Sequence, residues 1–553
     1  MINNFYKMKR FFGLGIIILI SILPLLDFLH PGLPLTHDGQ DHIARIANFY
    51  QSLTEGNLIP RWAGNLNWGY GHPILMFLYP LPSYSASLFH LFGVNFVDSL
   101  KIVFATTFIL SGITMYLWIR EFLGEEAGII AGAFYMFAPY RLVDLYVRGA
   151  LGEHVAFVFP PLICYFMFKL SKKYSFSNFA FAAFSVAFLV LSHNAITIMF
   201  MPFVLLYCVI LLKNAKNLKK LLLLYFFAIL LGVGISGFFL IPAFLEGKYT
   251  LRDIVTAKEY ASRFVVPQAL IYSQWSYGGT GLFSAQLGLL HFIGVVISIF
   301  SFKKVYQKNK IIKWFFFLTG IFFLFSIFIM LKESDFIWKI FTILQKFQFP
   351  WRFLSLSVFC ESILAGIAIA LMPKKHKMLG VLVIVVALLI VNKNYWHANG
   401  FLQKPENFYT KVYQGTTDTG ESSPIWSIRF MEQEAPSHIQ VIGGMAVSKE
   451  VIRTSVRHLY VLNVKSDSAR IRENTLYFPG WNIYVDDKKT NTEFQDPNNR
   501  GVMTFFVPTG LHKIELRFED TNTRKLSNII SVISLAGVFG IGLFFKTKYG
   551  RTI

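Results

Sequence analysis

The sequence predicts a polytopic α-helical membrane protein of about twelve transmembrane helices, with a small β-sandwich near the C-terminus that stands outside the membrane. Three observations carry this. Uncharged apolar runs recur along the 553-residue chain, which is 54% hydrophobic with a mean hydropathy of +0.50. Clusters of lysine fall between alternate runs. Residues 393–525 then abandon the long runs for short stretches of period two.

With about 20 residues per crossing as the yardstick, spans are expected at 11–29, 99–119, 127–146, 153–170, 177–192, 195–212, 219–242, 286–302, 313–331, 351–372, 377–392 and 526–545. Lys7, Lys9 and Arg10 precede the first run. No small-x-small cleavage site follows it, only "PLLDFLHPG", so it reads as an uncleaved span. Charge tests the count. With the N-terminus inside, the basic loops Lys169–Lys173, Lys213–Lys220, Lys303–Lys313 and Lys374–Lys377 and the tail Lys546–Arg551 all fall on the cytoplasmic side. The formal charge of +21 is thereby explained by topology, without nucleic acid. Cys164, Cys208 and Cys360 lie inside apolar runs and form neither a disulfide framework nor a zinc spacing.

This layout divides the chain into a membrane domain, 1–392, an extracytoplasmic β-rich domain, 393–525, and a final span with a basic tail, 526–553. Three segments of length face outward: 30–98, 243–285 and 393–525. The inner loops are short, and no GxxxxGK phosphate loop is present. Chemistry is therefore expected on the outer face, away from cytoplasmic nucleotides.

The first outer segment opens with "LTHDGQDHIAR", residues 35–45. Ile43, Ile46, Ala47, Tyr50 and Leu53 share a helical face, which predicts a helix along the interface, ended by Gly56. A second amphipathic stretch is expected from Pro82 to Phe92. Asp38 and Asp41 would share a face near the helix start. One reading makes Asp38 an N-cap and Asp41 a first-turn acid. The other makes one of them a general base or metal ligand, with His37 and His42 as neighbouring ligands or hydrogen-bonding partners.

"APYRLVDLYVRGALGEHVAF", residues 138–157, places Arg141, Asp144, Arg148, Glu153 and His154 on the outer side, against the charge rule. Two readings stand: an internal Asp144–Arg148 pair at i,i+4, or a fork-shaped cradle for an anionic group. "SHN" sets His193 and Asn194 at an outer turn, either as a short polar connection or as part of a site. "QKFQFPWRFLSL" puts Lys346 and Arg352 beside Trp351, where snorkelling accounts for one cation. Tyr272, Trp275 and Tyr277 are suited to sugar stacking or to interface anchoring. In the late domain, "SHIQVIG", "RTSVRHLYVLNV", "NIYVDD" and "GVMTFFVPTGLHKIELRFED", with turn signals "PGW", "DDKK" and "PTG", predict the antiparallel sandwich. His458 and His512 stand alone there.

Together these clusters form a resemblance. "HDGQDHIARI" followed by "GNLIPRW" resembles the first outer loop of GT-C membrane glycosyltransferases, in which an acidic residue follows the first span. "PYRLVDLYVRGALGE", "LSHN" and "QFPWRFL" resemble the bacterial membrane family labelled "6-pyruvoyl-tetrahydropterin synthase related", and "YFPGWNIYVDDKK" with "VPTGLHKIELRF" is similar to its YfhO-type relatives. The pterin label does not describe the chemistry: a soluble pterin synthase would need a zinc-binding histidine triad in a small α/β fold, and this chain has neither. The resemblance implies a GT-C-like fold and sugar transfer from a polyprenyl-phosphate carrier to a cell-envelope glycan or polymer. It places the site outside the cytoplasmic membrane and carries the acidic role to Asp38, with Asp41 beside it. The family's adjacent acidic pair is here Asp38-Gly39, with Asp41 two positions later, so the choice between the two stays open.

The residues fit that reaction. A phosphate leaves as a stable anion, so it needs cations more than a proton; a glycoside hydrolase would want two carboxylates. Asp38 or Asp41 would serve as base in an inverting displacement, and Arg148, Arg141 and Arg352 as phosphate contacts. A divalent metal, Mg or Mn, is compatible with the Asp, His and Glu153 side chains. A separate synthase would supply the donor. The competing readings are a transporter or flippase for an amphipathic lipid, which internal repeat symmetry would favour, and a non-catalytic scaffold whose β-rich module binds envelope polymer.

Overall fold

A proline marks one helix break near the site; Pro202 and Pro242 lie inside helices. The computed structural model describes residues 2–278, 283–307 and 310–549. Lys308 and Arg551 of the basic loops, and residues 279–282 of the "YSQWSYGGTGLF" loop, lie outside the described residues.

Nine described helices are long and apolar enough to cross a membrane, and Phe176–Ser192 and Leu289–Phe300 are shorter apolar helices. The stretch expected as one span over 127–146 is divided. Its helix runs Glu125–Phe137 and stops before Pro139, with Ala138 extended at ψ 137°. A residue before proline is driven out of the helical region. A short turn, Pro139–Val143, and a π turn, Asp144–Arg148, follow. The span expected over 219–242 is likewise divided, into Leu218–Ile235 and Gly237–Leu245.

The expected interface helix is Gly39–Thr54, with Ile43, Ile46, Ala47 and Phe49 buried. The second amphipathic helix is Leu81–Leu91, and it packs on the first.

The three long connecting segments meet at one end of the bundle. Strand β1, Leu33–Pro34, pairs antiparallel with β2, Phe401–Leu402. Thr250 bridges Pro424, and the Tyr277 hydroxyl donates to the His397 carbonyl at 2.6 Å. Buried Arg524, on the last helix, pairs with Glu246 at 2.7 Å. These contacts gather segments separated by hundreds of residues.

The late domain is a six-stranded antiparallel sheet: β3 (Ile439–Gly443), β4 (Ala446–Arg453), β5 (Arg457–Leu476), β6 (Trp481–Val485), β7 (Lys488–Thr490) and β8 (Val502–Phe518). The two separate layers of the expected sandwich are one continuous sheet. The reason lies in β5 and β8, which run the full length together. Their register shifts between Val464 and Ser468, and both β3 and β4 pair with β5. The "PTG" signal does not turn the chain; β8 passes through it. "DDKK" does, with Asp486 and Asp487 both at positive φ, as a tight two-residue hairpin requires. Trp62 of the first segment inserts into this domain's core, 5.5 Å from Trp481 between ring centroids.

Candidate functional site

Two backbone hydrogen bonds join the first two polar clusters. His37 N donates to the Val147 carbonyl and Asp38 N to the Arg148 carbonyl, each at 3.0 Å. The approach depends on Gly149, which ends the π turn at φ +64°; a Cβ there would strike Thr36. Only glycine adopts this conformation without cost and leaves room for the crossing chain.

Asp38 occupies the N-cap position, but its side chain makes no cap bond. Thr36 Oγ1 accepts from Gly39 N instead, at 3.2 Å. Among the described residues the Asp38 carboxylate accepts no hydrogen bond. Solvent reaches it, yet protein surrounds it on most sides, and this desolvation raises its pKa against the opposing pull of Arg148 and Arg45. Asp41 differs. Its Oδ1 accepts a 2.7 Å bond from the Tyr413 hydroxyl, which in turn accepts from Gln40 Nε2 at 2.9 Å.

His42 is buried, and desolvation first, then Arg45, hold it neutral. Its ring contacts Arg45 Nη1 at 3.2 Å and Leu151 N at 3.4 Å. Arg45 Nε donates to Thr417 Oγ1 at 2.9 Å. Beside them lies a narrow recess of about 20 Å³ lined by Arg45, Ile46, Phe49, Leu75, Tyr79 and Leu151, among others. His37 Nε2 is buried without a protein partner.

The second cluster is mostly self-paired. Arg148 Nη1 meets Asp144 Oδ1 at 2.6 Å and Glu153 Oε2 at 2.9 Å, and its guanidinium lies 4.5 Å from the Trp351 ring centroid. The i,i+4 pair is therefore present. Tyr140 and Ser355 hydroxyls donate to Glu153 Oε1 at 2.6 and 2.7 Å. Arg141 is fully buried. It lies over Phe157 and contacts His154 at 3.4 Å and Ser111 at 3.3 Å, apart from the accessible recess. His154 is also fully buried.

Arg352 is less committed. Nη1 donates to the Phe347 carbonyl at 2.7 Å, and Nε stands 3.9 Å from Glu153 without a hydrogen-bond partner among the described residues. His193 stacks on Tyr79 with centroids 4.9 Å apart, and Asn194 Oδ1 is buried unpaired. Tyr79 itself lies among the charges: burial raises its pKa, Arg45 and Arg352 oppose this, and Asp38 and Glu153 add to it.

The structure thus brings together Asp38, Asp41, His37, His42, Arg148, Glu153, His193 and Arg352, and sets Arg141 and His154 back between helices. Sequence reasoning gave no role to Tyr79, Tyr413 or Arg45. Arg45 carried a signal, one turn beyond Asp41; Tyr413 carried none.

The proposed metal-ligand set does not assemble. Among the described residues no three His, Cys, Asp or Glu side chains converge on a common point. Asp41 is held by Tyr413 and Glu153 by Arg148, which divides the donors.

A family model described as "6-pyruvoyl-tetrahydropterin synthase related domain; membrane protein" matches residues 75–398, more than half of the chain. The chain belongs to this family. The matched stretch holds Arg148, Glu153, His193 and Arg352, while Asp38 precedes it. An uncharacterized protein of Lactococcus lactis subsp. cremoris is 30% identical over 249 residues, covering 44% of this chain and 40% of the relative. The match thus spans less than half of that curated relative. Among solved structures, the mycobacterial arabinofuranosyltransferase AftD aligns at 14% identity and TM-score 0.44, over 69% of this chain and 26% of that one. ArnT of Cupriavidus metallidurans, bound to undecaprenyl phosphate, aligns at 14% identity and TM-score 0.41, over 74% and 68%. The Archaeoglobus fulgidus oligosaccharyltransferase aligns at 12% identity and TM-score 0.41, over 74% and 56%.

Proposed function

We infer that this family member is a membrane glycosyltransferase that moves a sugar from a polyprenyl phosphate to an acceptor hydroxyl in the cell envelope. The observation that carries the reading is Asp38: an unengaged carboxylate with a raised pKa, facing solvent beside arginines at the end of a membrane bundle. A base works best when its pKa approaches the working pH, and Asp38 is displaced in that direction. Asp41 is the neighbour that positions Tyr413 and Gln40.

In the reaction, Asp38 takes the proton of the acceptor hydroxyl as its oxygen attacks the anomeric carbon. The carbon–oxygen bond to phosphate breaks on the opposite face, with inversion, and the polyprenyl phosphate leaves as an anion. Arg45 and Arg352 receive that charge, and both act on Tyr79. Arg148 holds Asp144 and Glu153 and shapes the floor. The recess beside Arg45 has Phe49, Leu75 and Leu151 in its wall, an apolar margin next to the cation that would receive the phosphate. A separate synthase would load the carrier with its sugar.

The same reading assigns 1–392 as the membrane domain, 393–525 as the extracytoplasmic domain and 526–553 as the last span and tail. Both termini are cytoplasmic in the inner membrane, and the site faces outward. The test is transfer of label from a panel of radiolabelled polyprenyl-phosphate sugars into acceptor by the reconstituted protein. Transfer lost in Asp38→Asn supports the reading. Transfer at the wild-type rate in both Asp38→Asn and Asp41→Asn would overturn it.

A further inference from the structure

A second polar cleft lies at the far end of the interface helix, where the membrane domain meets the β-sheet. It is open, about 270 Å³, and its lining includes Gln51, Asn65, His438, Arg453, Thr454 and Thr475. We propose that this cleft binds a neutral, hydroxyl-rich segment of the acceptor glycan, distant from the reacting hydroxyl.

Its chemistry argues for a sugar. One wall is an amide pair from the membrane domain: Asn65 Nδ2 donates to Gln51 Oε1 at 2.8 Å. Asn65 Nδ2 also donates to the Thr410 carbonyl at 2.9 Å and Gln51 Nε2 to Glu55 Oε1 at 3.1 Å, which leaves Asn65 Oδ1 as an acceptor and the second Gln51 N–H as a donor for neighbouring hydroxyls. The other wall is charged but balanced within itself. Arg453 Nη1 donates to Glu473 Oε1 and to the Tyr460 hydroxyl, each at 2.8 Å, and His458 Nδ1 lies 2.9 Å from the same carboxylate. His438 contacts Glu450 at 2.7 Å. With each charge partnered, the cleft has little net attraction for an anion such as a lipid phosphate. The Arg453 side chain still keeps 18% of its surface exposed, while Glu473 is fully buried.

The walls are held in register. Glu55, which ends the interface helix, accepts from Ser455 N at 2.8 Å, and Leu476 N donates to the Tyr70 carbonyl at 2.9 Å. The helix therefore acts as a rigid spacer. Asp38 and Gln51 are 13 positions apart, and at 1.5 Å per residue this is roughly 20 Å. A glycan of several residues would span from the cleft to the base, so the cleft would read the growing polymer while Asp38 acts on its end.

The proposal rests on the transferase reading for its biological sense, but binding is measured without turnover. Full-length protein in detergent is titrated with neutral oligosaccharides of glucose, galactose, mannose and N-acetylglucosamine and with an oligogalacturonate, followed by saturation-transfer NMR and calorimetry. At least one neutral oligosaccharide should bind, with the oligogalacturonate weaker. Asp38→Asn should bind as wild type. Gln51→Ala and Thr454→Trp should each weaken binding tenfold or more, with thermal midpoints within a few degrees of wild type. Absence of binding by all neutral oligosaccharides, preference for oligogalacturonate, or binding unchanged in both cleft variants would overturn the proposal. Binding intact without sugar transfer from any lipid donor would instead overturn the transferase reading alone.

Discussion

Asp38→Asn and Asp41→Asn should separate activity from stability in opposite ways. The two carboxylates are one helical turn apart, yet their surroundings differ. Asp38 accepts no hydrogen bond among the described residues, and desolvation penalises its charge. Replacing it with a neutral isostere removes that penalty and breaks no bond, so stability should change by less than about 0.5 kcal/mol or rise. Loss of a general base costs roughly 10²- to 10⁴-fold in rate, or about 2.7–5.5 kcal/mol of barrier at about 1.36 kcal/mol per decade. Asp41 accepts from Tyr413 at 2.7 Å. A hydrogen bond to a charged group is worth about 1.5–3 kcal/mol net. Asparagine retains an acceptor oxygen and loses the charge, so about 1 kcal/mol of stability should go, with less than a tenfold loss of rate.

Initial rates in proteoliposomes and thermal unfolding in detergent measure the two quantities. Transfer abolished by Asp41→Asn but kept by Asp38→Asn would refute the assignment of the base. An Asp38→Asn protein as destabilised as Asp41→Asn would show that the Asp38 carboxylate is structural. The pH dependence adds a sign. Asp38 has a pKa raised above its ordinary value near 3.8, so the rate should fall as pH drops through that raised value. Its contribution to stability runs the other way: it is present in full below the unfolded-state pKa and lost as pH rises through the folded one.

The cations should divide by role. Arg148→Gln removes the partner of two buried carboxylates and should cost about 3–5 kcal/mol, seen as loss of folded protein; Arg352→Gln should leave the thermal midpoint nearly unchanged and raise KM for the lipid donor about tenfold. Gly152→Ala drives a Cβ into the Tyr79 ring; overpacking of about 1–3 kcal/mol should appear as a lowered midpoint and a slower rate. Arg524→Ala leaves Glu246 buried without its 2.7 Å partner and should expose the junction of the β-sheet domain and last helix to limited proteolysis, at a cost of about 3–5 kcal/mol.

What could be read from the sequence follows the range of the forces involved. Helical periodicity and hydropathy are local, so the helix over residues 39–54 and the apolar helices were visible in outline. The Phe137 break was visible too, in Pro139, but a hydropathy window weighs composition and overlooks one missing N–H. The i,i+4 pair of Asp144 and Arg148 was readable because it lies on one turn. Tyr413 was not, because its bond to Asp41 crosses 372 positions and depends on the β1–β2 pairing that returns the chain. The sandwich became one sheet for a related reason: period two marks strands, while layering depends on which long strands pair along their full length.

The site's charge arithmetic explains how so many arginines are accommodated side by side. A positive group at a membrane surface is costly only while unpartnered. Arg148 has two carboxylates and an aromatic face, so it is neutralised in place and serves as scaffold. That scaffold also fixes Glu153, which sits 3.9 Å from Arg352 Nε. At this longer distance the pair restrains Arg352 without quenching it, and the buried Nε keeps an unmet donor. Among the described residues Arg45 makes its hydrogen bonds to neutral groups, Thr417 and His42, and its charge acts on Asp38 and Asp418 without a direct ion pair. The net result is one carboxylate free to take a proton and two guanidiniums whose charge is not fully offset, both acting on Tyr79. A reaction that generates a phosphate while deprotonating a hydroxyl supplies both missing partners in the same step.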